Sequence, residues 1–291
     1  MRVALLGFGL IGGSIARALH RDPGPWSIAA WSPSGVGPRL ALDDGSIDAA
    51  ASSPADAIDG ADLVVLAGPP LACLAQIDEL AGPLAEALSP GALVTDVAST
   101  KEVIGRRADA AGLRFVGGHP MAGRQVSGYE AASADLFDGR PWVVVPGVHA
   151  RPGDRERVES LATACGAQPI EMTAQEHDKA TAAVSHQLLI VAAALVEAVA
   201  GRDADADRPD WPTAARLAAS GWHGMTRLAQ GDVEMGAGII ATNGPAIAVR
   251  LRELRGVLDD WLLELDREGG PDAEAIAARL AAARQRLEGG E

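Results

Sequence analysis

The sequence predicts an α/β N-terminal domain with a doubly wound, mainly parallel sheet, followed by an all-α C-terminal domain. As far as about Met172, short apolar and β-branched runs alternate with helical stretches. After Thr173 this strand pattern stops, and the remaining residues read as helices separated by polar turns. Alternating strands and helices are typical of parallel sheets covered on both faces. We therefore expect two domains, residues 1–172 and 173–291.

Seven segments of the first domain read as strands. Each is a short run of apolar or β-branched residues that is followed by turn residues or by a helical pattern. In chain order the predicted strands are Val3–Leu6, Ile28–Trp31, Leu63–Ala67, Ala92–Asp96, Phe115–Gly117, Trp142–Val145 and Gln168–Glu171.

The amino-acid composition and the net charge indicate which kinds of molecule the protein binds. The chain has 291 residues, of which 48% are apolar and 22% charged, as in soluble globular proteins. The 39 acidic and 25 basic residues give a formal charge of −14. Such a charge argues against a basic face that binds nucleic acid or an anionic membrane surface. We expect a small-molecule substrate and neither of those partners.

The cysteines and the apolar runs indicate in which cellular compartment the protein is found. Cys73 and Cys165 are too few for a disulfide framework or a cysteine zinc site, so we expect a cytoplasmic protein without a metal site. The sequence starts with a strand and shows no secretory leader. The longest apolar stretch, Leu188–Ala200, is shorter than the roughly 20 residues that cross a bilayer, and it reads as a buried helix.

A glycine-rich turn follows the first predicted strand. Gly7-Phe8-Gly9-Leu10-Ile11-Gly12 matches G-x-G-x-x-G between a strand and a helix, the context of a Rossmann-type dinucleotide site. Gly7 allows the tight turn, Gly9 lets the backbone approach a pyrophosphate, and Gly12 permits close packing of helix and strand. Leu10 and Ile11 open the helix whose N-terminus would bind that anion.

The second strand bears on the choice of cofactor. An NAD site of this type usually has an acid about 20 residues after the glycines to bind the ribose 2′-hydroxyl. The strand here runs into Ser32 and Ser34 and has no acid. These hydroxyls, with Arg39 as a cation, favour a 2′-phosphate and therefore NADP. The alternative is a loop that lacks the acid and still uses NAD.

Two further strand ends carry polar groups that suit catalysis. Asp96–Lys101 includes Ser99, and the next strand ends at His119. The carboxyl ends of strands in open α/β sheets face the ligand crevice. Loss of hydride from a carbinol carbon needs a base for the hydroxyl proton, and His119 is the candidate.

Six motifs are spread over nearly the whole chain: G-F-G-L-I-G-G-S at Gly7–Ser14, D-V-A-S-T-K at Asp96–Lys101, G-G-H-P-M-A-G followed by S-G within Gly117–Gly128, W-V-V-V-P at Trp142–Pro146, H-D at His177-Asp178 and S-H at Ser185-His186. In these motifs, their order and their spacing, the chain resembles the prephenate/arogenate dehydrogenase family of tyrosine biosynthesis.

The resemblance implies oxidation of prephenate to 4-hydroxyphenylpyruvate, with loss of CO2 and hydride transfer to NAD or NADP. It implies that His119 is the base and that Ser99 binds the same hydroxyl or orients the imidazole. Arg227 would grip a substrate carboxylate, and His186 would lie on the substrate side. Because the substrate is a dianion and the chain is acidic, Lys101 is a further candidate for local positive charge.

Three positions depart from the family pattern. Gln125 stands where a carboxylate often lies in the histidine loop, Gly224 replaces an acid before Arg227, and Leu189 replaces a second histidine. We expect Gln125 to contact the substrate. Loss of both acids removes a partner for the ammonium group of arogenate and so favours prephenate.

Helical geometry separates two histidines. Nine residues at about 100° each would put His177 and His186 on opposite faces of one helix and thus in different pockets. We expect His177-Asp178 to cap the helix start or to tie the two domains together.

The resemblance also implies a homodimer formed through the helical domain. Arogenate and 4-amino-4-deoxyprephenate stay open as alternative substrates. A related β-hydroxyacid dehydrogenase would use a catalytic lysine, for which Lys179 is the only candidate in the helical domain. A non-catalytic NADP-binding protein would be expected to lack Ser99, His119 or Arg227, and all three are present.

Overall fold

The computed structural model describes residues 1–124, 126–202 and 208–289. The chain divides into two compact units, residues 1–247 and 248–291. The first unit holds every strand described below. The predicted boundary between Met172 and Thr173 stays a prediction.

A five-stranded parallel sheet forms the centre of the first unit, with the strand order β3-β2-β1-β4-β5. This order reverses between β1 and β4, and ligands of open α/β sheets bind at such a switch point. The strands are β1 Arg2–Leu6, β2 Ser27–Trp31, β3 Ala49–Ala50, β4 Leu63–Leu66 and β5 Leu93–Asp96.

Helices cover both faces of this sheet, as predicted. Along β1, Val3 and Leu5 pack into one buried cluster, whereas Ala4 and Leu6 pack into the other. Successive strand residues point to opposite faces, so both faces of a doubly wound sheet are apolar. The helices between and after these strands are α1 Leu10–Arg21, α2 Val36–Asp43, α3 Pro54–Ile58, α4 Pro70–Ala81, α5 Glu102–Ala110 and α6 Asp154–Ala164.

The last three strands form a second, smaller sheet. β6 Val116–Pro120 pairs antiparallel with β7 Pro141–Pro146, which pairs parallel with β8 Gln168–Glu171. A single parallel bridge between Val94 and Phe115 links the two sheets. The seven predicted strands are therefore all present, but β7 runs against β6 because a loop, not a crossover helix, connects them.

Helices follow β8, as predicted. A π-helical turn, Ala182–His186, joins α7 to α8, and Asn243 inside α11 departs from helical geometry two residues before Pro245. The helices are α7 Ala174–Thr181, α8 Gln187–Ala200, α9 Trp211–Leu217, α10 Ser220–Thr226, α11 Val233–Leu265 and α12 Ala273–Glu288.

The apolar stretch before Gly201 differs from our expectation. It continues α7 and the π turn into one helical run, Ala174–Ala200, of 27 residues, which by length and composition alone could cross a membrane. Within this chain only 17% of its most apolar window is buried, and Ala192 is the one buried residue of α8. The expectation of a buried helix is therefore not met within the single chain, whereas the apolar part itself, α8 Gln187–Ala200, has 14 residues.

The second unit contains the end of α11 and the whole of α12. Asp272 caps α12 by accepting hydrogen bonds from the backbone N–H groups of Glu274 and Ala275. The guanidinium of Arg279 lies 3.9 Å from the ring centre of Trp261. A helix cap and a cation–π contact thus help to stabilise this unit.

Candidate active site

The glycine-rich turn lies at the switch point of the parallel sheet. Gly7 has φ +102°, and a Cβ there would lie 2.6 Å from the carbonyl carbon of Ala67 after β4. A Cβ on Gly12 would lie 2.5 Å from the carbonyl oxygen of Gly7, so neither position tolerates a side chain. Around Gly9, by contrast, the space is open. The three glycines thus occur where the sequence motif requires them.

Helix α1 begins directly after this open space. Its first residues are Leu10 and Ile11, and no side chain caps its N-terminus at Gly9. The first N–H groups of a helix lack intrahelical partners and carry a partial positive charge. This end of α1 can therefore bind the pyrophosphate of a dinucleotide.

The polar groups after β2 fit the ribose end of a dinucleotide. Ser32 is buried, and its Oγ has no hydrogen-bond partner among the described residues. The Oγ of Ser34 accepts a hydrogen bond from Val36 N at 3.3 Å, which leaves its hydroxyl hydrogen available to a ligand. The exposed Arg39 guanidinium lies beside Gly35. An unpartnered buried hydroxyl at a strand end is consistent with a ligand that supplies the missing bond.

His119 lies on β6 and only 9% of its surface is exposed. Its Nδ1 is 2.8 Å from Nε2 of His177 on α7, and the two rings meet edge to face. Burial is the main cause that lowers the pKa of His119 well below 6.5. His119 is therefore neutral at physiological pH, as a base must be before reaction, and Nε2 is the nitrogen that can act on a ligand.

Asp178 binds the other side of His177. Its Oδ1 is 2.7 Å from Nδ1 of His177, and the carboxylate also accepts hydrogen bonds from the backbone N–H groups of Lys101 and Glu102 at the start of α5. Burial raises the pKa of Asp178, but these hydrogen bonds together lower it below its ordinary value. These bonds link α7 to the start of α5, which agrees with the expectation that His177-Asp178 ties residues 173–291 to residues 1–172. The cap of α7 is instead Thr173, with Glu176.

His186 lies in the same cluster, contrary to our helical-wheel argument. Its Nδ1 is 3.0 Å from Nδ2 of Asn243, an amide that also donates to the backbone oxygen of Asp178. The two histidines converge because the π turn between them has i→i+5 hydrogen bonds and holds more residues per turn than an α-helix. Burial lowers the pKa of His186 to about 4, although Asp178 and the Ser99 backbone act in the opposite direction.

Ser99 is half-buried in the loop between β5 and α5, and its backbone acts to raise the pKa of His186. At Nδ1 the orientation of the His119 ring is fixed by His177, not by Ser99. The predicted role of Ser99 at the substrate hydroxyl stays a prediction.

Lys101 is buried and does not offer free positive charge, which corrects our expectation. Its ammonium group forms an ion pair with Asp96, and the side chains are 1% and 0% exposed. Asp96 also accepts backbone hydrogen bonds from Ala98 and Gly118, so the pair joins the ends of β5 and β6. A lysine neutralised in this way braces the two strand ends and is not available to a substrate carboxylate.

Arg227 is exposed and begins a short 3-10 helix, Arg227–Gln230, that packs against α8. Gln125 lies outside the described residues. The roles of Arg227 and Gln125 toward a substrate stay predictions. Lys179, the candidate base of the alternative β-hydroxyacid dehydrogenase, is exposed on α7 and lies outside the buried histidine cluster.

Sequence reasoning missed two members of the site, His177 and Asn243. The adjacent His-Asp pair was the available signal for His177, since a carboxylate beside a histidine commonly orients its ring. Asn243 had no comparable signal, because its contact with His186 depends on the local break in α11.

Both parts of the chain match models of known protein families. Residues 15–171 match the family model described as prephenate dehydrogenase, nucleotide-binding domain. Residues 173–267 match the model described as prephenate dehydrogenase, dimerization domain. Over 268 residues the chain is 33% identical to a prephenate dehydrogenase of Bacillus subtilis (strain 168), which covers 91% of this chain and 68% of the relative.

Two solved structures are similar over almost the whole chain. One is a prephenate dehydrogenase from A. aeolicus in complex with hydroxyphenyl propionate and NAD+, with TM-score 0.83 and 26% identity, covering 99% of this chain and 98% of that one. The other is the arogenate dehydrogenase of Synechocystis, with TM-score 0.78 and 28% identity, covering 99% and 100%. Both share the fold and the order of the two parts.

Proposed function

Because this chain belongs to the prephenate dehydrogenase family, we propose that it converts prephenate to 4-hydroxyphenylpyruvate and CO2 with a nicotinamide dinucleotide as oxidant. The observation that carries the proposal is His119, a buried histidine on β6 whose pKa is lowered, so that it is neutral at physiological pH. The reaction needs a base of this kind close to the cofactor. When bound, NAD+ or NADP+ supplies the hydride acceptor.

His119 takes the proton of the C4 hydroxyl in this proposal. Nδ1 is engaged with His177, so Nε2 carries out the proton transfer. As the O–H bond breaks, its electrons form the C4 carbonyl and the hydrogen on C4 leaves as hydride. A histidine whose pKa lies well below 6.5 is unprotonated at neutral pH and so is available for this step.

Decarboxylation needs no further residue. Once C4 is a carbonyl, the ring carboxylate is vinylogous to it, and cleavage of the C1–carboxyl bond sends its electron pair through the ring to the C4 oxygen. The ring becomes aromatic, which drives loss of CO2, and the resulting phenolate takes the proton back from His119. The base therefore finishes neutral and ready for another turnover.

Ser99 and Arg227 complete the proposed substrate site. Ser99 lies in the β5–α5 loop, and its hydroxyl can bond the C4 oxygen at the carboxyl end of the sheet. Arg227 grips the side-chain carboxylate, for which its planar fork of donors is suited. His186 is neutral because burial lowers its pKa to about 4, so it would line the substrate site as an uncharged polar side chain.

For the cofactor we favour NADP over NAD. The support is the unpartnered buried Ser32, the adjacent Ser34 and the exposed Arg39 at the end of β2, together with the lack of an acid there. An acid would repel a 2′-phosphate, whereas hydroxyls and a guanidinium can bind it. The similar A. aeolicus enzyme was crystallised with NAD+, which keeps NAD as the alternative.

We propose a homodimer formed through the helical part, in a reduced cytoplasmic setting. Residues 173–267 match a dimerization domain, and the apolar run Ala174–Ala200 is largely uncovered by its own chain. A second copy would remove that apolar surface from water. Both cysteines are free thiols, which suits a reducing compartment.

One assay tests the substrate and the cofactor together. Absorbance of the reduced cofactor is followed with prephenate or arogenate, each paired with NAD+ or NADP+. We expect turnover with prephenate and a higher kcat/KM for NADP+. Preference for arogenate would replace the proposed substrate, and no turnover in any of the four combinations would refute the proposal.

A further inference from the structure

The proposed base is the first of three buried side chains that form a row. His119, His177 and Asp178 are linked by contacts of 2.8 and 2.7 Å, and His177 and Asp178 are 1% and 2% exposed. We propose that His177 and Asp178 are positioning residues that fix the tautomer of His119 and share the positive charge it takes up during the reaction. This inference rests on the proposed function.

The tautomer follows from the fixed end of the row. Asp178 accepts hydrogen bonds from two backbone N–H groups at the start of α5, Lys101 at 2.8 Å and Glu102 at 2.9 Å, which anchor it as a carboxylate. A carboxylate can only accept, so Nδ1 of His177 carries the hydrogen. In a neutral ring Nε2 of His177 must then accept, so Nδ1 of His119 donates to it. His119 is left with its lone pair on Nε2, as a base requires.

Burial of His119 has two opposite effects on its role as a base, and sharing of the positive charge with His177 reconciles them. Burial keeps its imidazole neutral before reaction but also penalises the imidazolium that forms when it accepts a proton. When Nε2 of His119 gains the substrate proton, its Nδ1 hydrogen can pass to Nε2 of His177. The positive charge then lies on His177, directly against the carboxylate of Asp178. Asp178 thereby stabilises the imidazolium without touching the substrate.

The proton balance of the reaction suits a buried proton relay, by which we mean transfer of the proton along the row His119–His177–Asp178. The proton leaves the C4 hydroxyl in the oxidation, and the C4 phenolate takes it back after CO2 is lost, so the two steps release no net proton. The relay only has to hold one proton between the steps. It therefore needs no path to solvent, in agreement with the burial of all three residues.

Asp178 is the counter-ion of the row, because the other charged groups around it are compensated or neutral. From β5 and the loop that follows, Asp96 and Lys101 face the cluster, but they neutralise each other in an ion pair. From the π turn, His186 approaches, and burial keeps it neutral by lowering its pKa to about 4. Asn243 from α11 is uncharged. A protonated His119–His177 pair is thus balanced by one carboxylate.

The substitution His177→Gln tests the relay. A glutamine Oε1 can take the place of Nε2 and accept from His119, but it cannot take up a proton. We expect kcat with prephenate to fall about 10- to 100-fold, equivalent to losing one hydrogen bond to a charged group, with KM little changed. We also expect the acidic limb of the kcat/KM profile to move to lower pH, because protonated His119 loses its stabilisation.

Thr242→Val serves as the matched control. Oγ1 of Thr242 lies 2.8 Å from Oγ1 of Thr100 in a buried bond beside Lys101, so this variant loosens the same region without touching the row. It should lower the melting temperature and leave the acidic limb in place. If His177→Gln keeps its kcat, or loses kcat with an unmoved limb as a merely structural variant would, the relay is wrong.

A measurement without turnover separates this inference from the proposed function. Nitrogen-15 NMR of labelled histidine in the wild-type protein should show His119 as the Nδ1–H tautomer. An Nε2–H tautomer in the wild type would overturn the relay. Failure of the wild type to oxidise prephenate, with the expected tautomer present, would overturn the proposed function alone.

Discussion

The substitution Lys101→Met tests the buried ion pair at the carboxyl ends of β5 and β6. Methionine keeps most of the length of the lysine chain but removes its charge, so Asp96 would remain buried without its cation. Asp96 would still accept hydrogen bonds from Ala98 and Gly118. We expect the variant to fold but with a large loss of stability.

The magnitude follows from the burial of both partners. With side chains 1% and 0% exposed, solvent does not screen the pair, and removing one partner of such a pair costs about 3–5 kcal/mol in the free energy of unfolding. Burial already raises the pKa of Asp96. A carboxyl whose pKa is raised on folding stabilises the folded state below its unfolded pKa, and this contribution is lost as pH rises through the folded pKa. The cost of Lys101→Met should therefore be smaller at pH 5 than at pH 7.5.

Urea denaturation at both pH values measures this cost, with Lys179→Met as the control. Lys179 is the chain's other lysine and is exposed, so its substitution should change stability by less than about 0.5 kcal/mol. A cost below about 1 kcal/mol for Lys101→Met at pH 7.5 would refute the buried pair. So would a tenfold rise in KM for prephenate without loss of stability, because Lys101 would then bind the substrate.

Three further predictions concern activity. Replacing the base, His119→Asn, should lower kcat by about 10²- to 10⁴-fold with little change in KM, measured by steady-state kinetics; an unchanged kcat would exclude His119 as the base. Arg227→Ala should raise KM for prephenate about 10- to 100-fold, whereas Arg216→Ala, at an exposed position on α9, should not; equal effects would argue against a carboxylate grip. Because burial lowers the pKa of His119, kcat/KM should stay level from pH 8 to 6.5 and fall only at lower pH; a limb at or above pH 6.5 would contradict its neutral environment.

The strands and the cofactor turn could be predicted from the sequence because their physical requirements are local. A buried parallel strand such as Leu63–Leu66 must be apolar at every position, and Gly7 must be glycine where φ is +102°. The two-residue strand Ala49–Ala50 was missed because so short a segment carries no period. The reversed direction of β7 was missed because a strand pattern does not encode direction.

The candidate site was only partly predictable, since its geometry depends on contacts between distant segments. The sequence pointed to His119 and to the dinucleotide turn. It misplaced His186, because a regular α-helix was assumed where a π turn shifts the register. It gave Lys101 to the substrate, because Asp96, five residues earlier on β5, could not be recognised as its buried partner. A charged residue in a sequence does not reveal whether a buried partner of opposite charge already neutralises it.

The bond from Asp178 to the start of α5 has a consequence for synthesis of the chain. Helix α5 and strand β5 leave the ribosome long before residue 178, and until then the N–H groups of Lys101 and Glu102 lack this acceptor. The sheet can form early, as N-terminal segments generally do. The end of the sheet that carries His119 is completed only when α7 docks. A polypeptide ending at Met172 would thus retain the dinucleotide turn but lack the Asp178 carboxylate behind His119. The cofactor site would therefore be complete before the catalytic row is.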